Sequence, residues 1–246
     1  MSDVTNHHIG ILICLTSLDD EIADQSALHV AKLFGSRCRA LLIEDQIATE
    51  RRGDLSADDR LIARRRRRLT ILAQEMGLNV DFDVSDLSPG IQHLRTQPVK
   101  ATTILMQPAH PLSRQTHTFR SVQDAAAAAA AATVYSPPIR TIGDGDILAI
   151  TNTRQSASIP IAEEVAKRTG RAFEIFLVDK DAQLTVSSLV RDLAHPMSLD
   201  APALIVMTQS ELLTAPSDFS SLAARLEMPV LVVGDGSNRG PARGVG

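Results

Sequence analysis

Residues 9–45 read IGILICLTSLDDEIADQSALHVAKLFGSRCRALLIED. Ile9 to Thr16 is an almost unbroken apolar run, as expected of a strand covered on both faces. Ser17 or Asp19 is placed to cap a following helix, with Asp20 and Glu21 in the first turn, where the helix dipole favours acids. Ile22, Ser26, Ala27, Val30, Leu33 and Phe34 fall on one helical face, and Gly35 ends the helix. Cys38 to Glu44 supplies a second strand. Strand, helix and strand with short joints make a right-handed βαβ unit.

The unit recurs. Shifted by 135 positions, Leu12, Ile13, Leu15 and Thr16 fall on Ile147, Leu148, Ile150 and Thr151. Ala31-Lys32 and Gly35 fall on Ala166-Lys167 and Gly170, and Leu41 to Glu44 fall on Phe176 to Asp179. A shared AKxxG in ungapped register favours duplication. Past the unit the copies diverge: Glu44 to Ile104 takes 60 residues, whereas Asp179 to Ile205 takes 26. The missing stretch matches a basic segment of the first copy, in which residues 51–68 carry eight arginines against three aspartates. Leu61, Ile62, Leu69, Leu72, Ala73 and Met76 give this segment one apolar helical stripe, stopped by Gly77. Its run Arg64, Arg65, Arg66, Arg67 and Arg68 reads either as a solvated face or as a surface for an acidic partner.

Further along, 78–84 alternates as a third strand, 88–94 is a short helix, and 102–106 is a fourth strand. A helix from Thr118 is expected to run through Ala125–Ala132, since alanine is the strongest helix former. Thr133–Ser136 is a fifth strand, and Pro and Gly at 137–145 punctuate a linker. The boundary divides residues 1–138 from a shortened 139–246. There, a strand at Gln183–Val186, helices at Ser188–His195 and Phe219–Leu226, and strands at Ala203–Met207 and Pro229–Val233 are expected. The fold class is therefore α/β, with parallel strands covered by helices on both faces.

Bulk properties narrow the function. The chain has 246 residues, of which 44% are hydrophobic and 3% aromatic, and its net charge is −4. An acidic balance argues against a nucleic-acid binder, and few aromatics are available for stacking on bases. Cys14 and Cys38 lie on expected strands as core thiols of a reducing compartment. No apolar run approaches the roughly 18 residues of a membrane span, and the polar start MSDVTNHH lacks the order of a signal peptide. The expected location is cytoplasmic. No metal-ligand spacing, G-x-S-x-G, Walker A or H-E-x-x-H pattern occurs.

The βαβαβ opening and the closing strand in MPVLVVG (228–234) resemble the universal stress protein family, over nearly the whole chain as two tandem copies. The resemblance implies two tandem universal-stress-protein-like (adenine nucleotide alpha hydrolase-like) domains. Each would be an open sheet with strands in the order 3-2-1-4-5, joined through their fifth strands within one chain. The nucleotide-binding branch of the family has an acidic residue after the first strand and a glycine-rich loop after the fourth, whose backbone N–H groups reach phosphates. Here the loops read MQPAHPLSRQTHTF (106–119) and MTQSELLTAPSDFS (207–220), without glycine and with N–H-lacking prolines. Asp19 is the nearest equivalent of the acid.

Two functions follow as expectations. The first is a non-catalytic regulatory or interaction scaffold in stress response, binding a protein through Arg64–Arg68, with a second copy of the chain as a further partner and no cofactor, membrane or nucleic acid. The alternative is a binder of AMP, ATP or another small anion. Ligands of open α/β sheets sit beyond the carboxyl ends of the strands, which places Thr16, Ser17, Asp19, Gln107, His110 and Arg114 around one crevice. Thr151, Asn152, Gln209 and Ser210 surround a second. The same residues also read as ordinary loop polar groups and helix caps. An adenine-nucleotide-handling enzyme on the related fold is a third reading, and the fold does not choose among them.

Overall fold

The computed structural model describes residues 10–17, 20–44, 55–97, 101–129, 132–139, 142–179, 185–194, 201–209, 213 and 215–234. The run ILICL forms β1 (Ile11–Leu15), buried at every position. It lies between β2 (Arg37–Glu44) and β4 (Thr102–Met106), parallel to both. With β3 (Asn79–Asp86), β5 (Ala132–Ser136), β6 (Ile147–Thr151), β7 (Phe173–Leu177), β8 (Leu204–Thr208) and β9 (Val230–Val233) it builds one nine-stranded sheet. The strand order is β3-β2-β1-β4-β5-β9-β8-β6-β7. Every described pairing is parallel except β5 with β9, where Thr133, Val134 and Tyr135 run antiparallel against Val232, Leu231 and Val230. Among the described residues, no strand pairs the outer edge of β7.

Alternation along each strand feeds two helical layers. Ile11, Ile13 and Leu15 pack with α1 (Glu21–Phe34), α2 (Leu55–Glu75) and α5 (Ser158–Thr169). Leu12 and Cys14 face the opposite layer of α3 (Leu87–Arg95), α4 (His117–Ala128), α6 (Val186–Ala194) and α7 (Pro216–Leu226). Apolar burial on both faces of a parallel sheet is the principal stabilising term in such a three-layer arrangement. Cys38 belongs to the first layer's core and Cys14 to the second's, so the two thiols sit on opposite sides of the sheet. Both cysteines are free, and burial raises the Cys14 pKa to about 12 and the Cys38 pKa to about 11.

Several expected elements shift. The cap of α1 is Asp20, whose Oδ1 accepts from the Ala23 N–H at 2.9 Å; the Ser17 side chain is not the cap, and Asp19 lies outside the described residues. Helix α4 stops at Ala128, not Ala132, because Ala132 enters β5 opposite Thr102: strand pairing overrides the propensity of the alanine run. The expected strand at Gln183–Val186 is replaced at its end by the start of α6. Thr185 and Ser188 cap that helix reciprocally, Ser188 N–H to Thr185 Oγ1 at 3.1 Å and Thr185 N–H to Ser188 Oγ at 2.9 Å. Residues 183 and 184 lie outside the described residues.

The AKxxG match is visible as a helix ending. The Gly35 N–H donates to Ala31 O, and the Gly170 N–H, 135 positions on, donates to Ala166 O. Gly170 adopts the left-handed region at φ 67°, whereas Gly35 is extended. The GDGD at 143–146 serves packing. A Cβ on Gly145 would stand 2.4 Å from the Ala201 carbonyl oxygen, and Arg171 Nη1 donates to both Gly143 O and Gly145 O.

Candidate ligand-binding cleft

The structure does not gather the residues expected beyond β1 and β4 around one crevice. Ser17 gives its carbonyl oxygen to Arg65 Nη1 of α2, on one side of the sheet. Gln107 points to the other side, where its Nε2 donates to Ser220 O of α7 at 2.9 Å. Thr16 keeps a buried Oγ1 without a hydrogen-bond partner among the described residues. His110 is exposed and accepts from the Leu112 N–H at 3.3 Å, capping the 3₁₀ turn Pro111–Gln115. The Asp20 carboxylate closes the gap between the two loops, because its Oδ2 accepts from the Ala109 N–H at 3.0 Å. A backbone N–H after the fourth strand, of the kind that cradles phosphate in related folds, is thus satisfied by an internal carboxylate.

The second crevice is closed by hydroxyl groups. Ser156 Oγ lies 2.7 Å from Ser158 Oγ and 2.9 Å from Thr208 Oγ1, all three residues being buried. Thr151 is buried and accepts from the Thr153 N–H at 3.1 Å. The Gln209 N–H donates to Val233 O, and Ser210 lies outside the described residues.

The arginine run divides. Arg65 is turned into the core, with Nε and Nη2 at 2.9 and 2.5 Å from Asp24 Oδ1. Arg68 reaches Asp24 Oδ2 through Nε and Nη2 at 3.0 and 2.5 Å. The expectation that Arg64–Arg68 together form a partner surface is therefore corrected: Arg65 and Arg68 are structural. Arg64, Arg66 and Arg67 remain exposed, Arg66 standing 5.6 Å over the Phe82 ring. Burial pushes the Asp24 carboxyl above its ordinary value, while the Arg65 and Arg68 guanidiniums pull it back.

Gln107 and Arg114 belong instead to a cleft of about 690 Å³ between α4 and α7. Because β5 and β9 are antiparallel and each helix leads directly into one of them, α4 and α7 run antiparallel to each other. Their polar faces meet across the cleft: Arg120, Gln123 and Asp124 on α4, and Ser217, Ser220, Ser221 and Arg225 on α7. These spacings of three and four put each set on one helical face. One glutamine amide ties the two helices, Gln123 Nε2 donating to Pro216 O at 3.0 Å, and another ties α7 to the end of β4, Gln107 Nε2 donating to Ser220 O. Beneath them Tyr135 stacks on Phe219, ring centroids 5.8 Å apart. Burial, with the Asp124 charge adding to it, raises the Tyr135 pKa.

Three arginines line this cleft against one carboxylate, Asp124. Arg114 spends its Nε on Pro108 O at 3.0 Å, and Arg225 its Nη1 on Ser187 Oγ at 2.9 Å. Neither these two nor Arg120 takes an ion-pair partner among the described residues. Burial lowers the Arg114 pKa, and the guanidinium stays charged at any physiological pH. Gln107 Oε1, at the same cleft, is buried without a hydrogen-bond partner among the described residues. The arrangement offers a net positive, donor-rich recess with an unsatisfied acceptor, and among the described residues it contains neither a nucleophile with a paired base nor a group of three or more potential metal ligands. Nothing local in the sequence joins α4 to α7; the β5–β9 pairing brings them together. Arg120, Gln123, Asp124 and the α7 residues are accordingly absent from the expected site.

No protein-family model matches the chain, and no curated protein matches it. A solved structure is similar: a functionally unknown protein, PA1789, from Pseudomonas aeruginosa PAO1, with 15% identity and a TM-score of 0.52 over 94% of this chain and 94% of that one. At this identity the likeness shows the fold alone, and it extends across both halves of the sheet. No helix among the described residues is long and apolar enough to cross a membrane.

Proposed function

We propose that the chain is a non-catalytic, universal-stress-protein-like cytoplasmic protein that binds a small anionic ligand in the cleft between α4 and α7. The observation that carries this reading is the convergence of Arg114, Arg120 and Arg225 on one recess, none of them in an ion pair among the described residues. Guanidinium groups without carboxylate partners suit bidentate recognition of phosphate or carboxylate. The order β3-β2-β1-β4-β5 and the antiparallel β5–β9 junction support the stress-protein ancestry. The Asp20–Ala109 bond supports a ligand site away from the usual nucleotide crevice.

Pyrophosphate is a suitable first probe. Ligand at ten times its Kd stabilises the native state by about 1.4 kcal/mol, a rise of roughly 3–5 °C in melting temperature for a chain of this size. The expected result is such a rise at millimolar pyrophosphate, abolished in Arg120→Gln and retained in Arg64→Gln. An unmoved melting temperature in the unsubstituted protein overturns the reading.

The outward Arg64, Arg66 and Arg67 support a second role as a contact for an acidic protein. Their replacement by Gln should weaken capture of that partner without lowering stability.

A further inference from the structure

The antiparallel course of α4 and α7 gives the cleft two unlike ends. Gln123, midway along α4, bonds to Pro216 O, so the helix from Gln123 onward lies toward the start of α7. The first turn of α4, with Arg120, then lies toward the end of α7, with Arg225, and Arg114 precedes α4 in the chain on the same side. One end therefore gathers three guanidinium groups. The other holds the exposed carboxylate of Asp124 and the exposed hydroxyl of Ser217. Asp124 is not needed to offset the α7 dipole, since α7 carries its own first-turn acid, Asp218. It does not pair with Arg120, although the two are four residues apart on one helix face. Gln107 Oε1 adds a second acceptor without a donor among the described residues.

We infer that the cleft takes a dipolar ligand, in which an oxyanion engages Arg114, Arg120 and Arg225 and an ammonium or other hydrogen-bond donor engages Asp124. The inference rests on the anion-binding role proposed above for the same cleft. Arg120 and Asp124 lie about 6 Å apart along the helix axis at 1.5 Å per residue. A phosphate monoester whose amine lies four bonds from the phosphorus has a comparable length.

Calorimetric titration of the full chain with 2-aminoethyl phosphate and with propyl phosphate tests this. The two differ mainly in the terminal amine. The expected result is that 2-aminoethyl phosphate binds roughly fivefold more tightly, the size of an exposed ion pair. In Asp124→Asn that advantage should vanish while propyl phosphate binds at least as well as before. In Arg120→Gln both esters should weaken together. Asp124 and Arg120 are exposed, so neither substitution removes a core contact. Equal binding of the two esters, or an advantage that survives in Asp124→Asn, overturns the dipolar ligand and leaves anion binding standing. Failure of both esters and of pyrophosphate to bind overturns the anion site itself.

Discussion

Arg65 and Asp24 form a buried ion pair, Nη2 to Oδ1 at 2.5 Å, with side-chain exposures of 1% and 0%. The same guanidinium donates through Nη1 to the Ser17 carbonyl, so one side chain fastens α2 both to α1 and to the loop leaving β1. Removing Arg65 leaves the buried Asp24 carboxylate with Arg68 alone and strips the Ser17 carbonyl of its donor, which costs up to about 3–5 kcal/mol. Arg65→Gln should lower unfolding stability by that amount in denaturant titration. Arg64→Gln, one residue away and exposed, should stay within about 0.5 kcal/mol. Equal behaviour of the two would place Arg65 at the surface.

The two helix-ending glycines should respond unequally. Gly170 holds φ 67°, where a Cβ is disfavoured, and has no neighbour within 4 Å, so Gly170→Ala should cost about 1 kcal/mol of backbone strain. Gly35 is extended, and a Cβ there would rest 3.4 Å from Ile11 Cδ1. Gly35→Ala should change the unfolding midpoint little, a contrast that chemical denaturation of the two variants measures directly.

Stability should fall at alkaline pH through Cys14. Its folded pKa of about 12 lies above the thiol's ordinary value of 9.0. A group raised in the folded state stabilises fully below its unfolded pKa, and the contribution is lost as pH climbs from about 9 toward 12. The slope is at most about 1.4 kcal/mol per pH unit for one thiol. Cys14→Ala should flatten the decline relative to the unsubstituted chain between pH 9 and 11, and parallel profiles would show that the thiol does not contribute.

The sheet was legible because its strands are written as apolar runs or as alternation: 102–106 matches β4 residue for residue, β1 falls inside Ile9–Thr16, and β3 overlaps the alternating 78–84. Boundaries set by non-local pairing were not. Nothing within the alanine run tells where helix yields to strand, since Ala132 is decided by its partner Thr102 across the sheet. The direction of each arginine was equally hidden. Five in succession point around the whole helix, and Asp24, some forty positions earlier, draws in Arg65 and Arg68, three apart and hence on one face. Of the expected ligand residues, Gln107 and Arg114 reach the cleft, while Thr16, Ser17 and His110 do not line it. Main-chain commitments such as Arg65 to Ser17 O leave no trace in residue type.

The antiparallel junction of β5 and β9 creates a local two-fold axis, and the cleft lies beside it. Two identical chains meeting in this way would present the same wall twice, and such a site suits molecules that are themselves two-fold symmetric. Here α4 and α7 belong to one polypeptide and carry different side chains, Arg120 and Asp124 on one wall and Ser217 and Ser221 on the other. Covalent joining of the walls lets a site near an axis of symmetry tell one end of a molecule from the other.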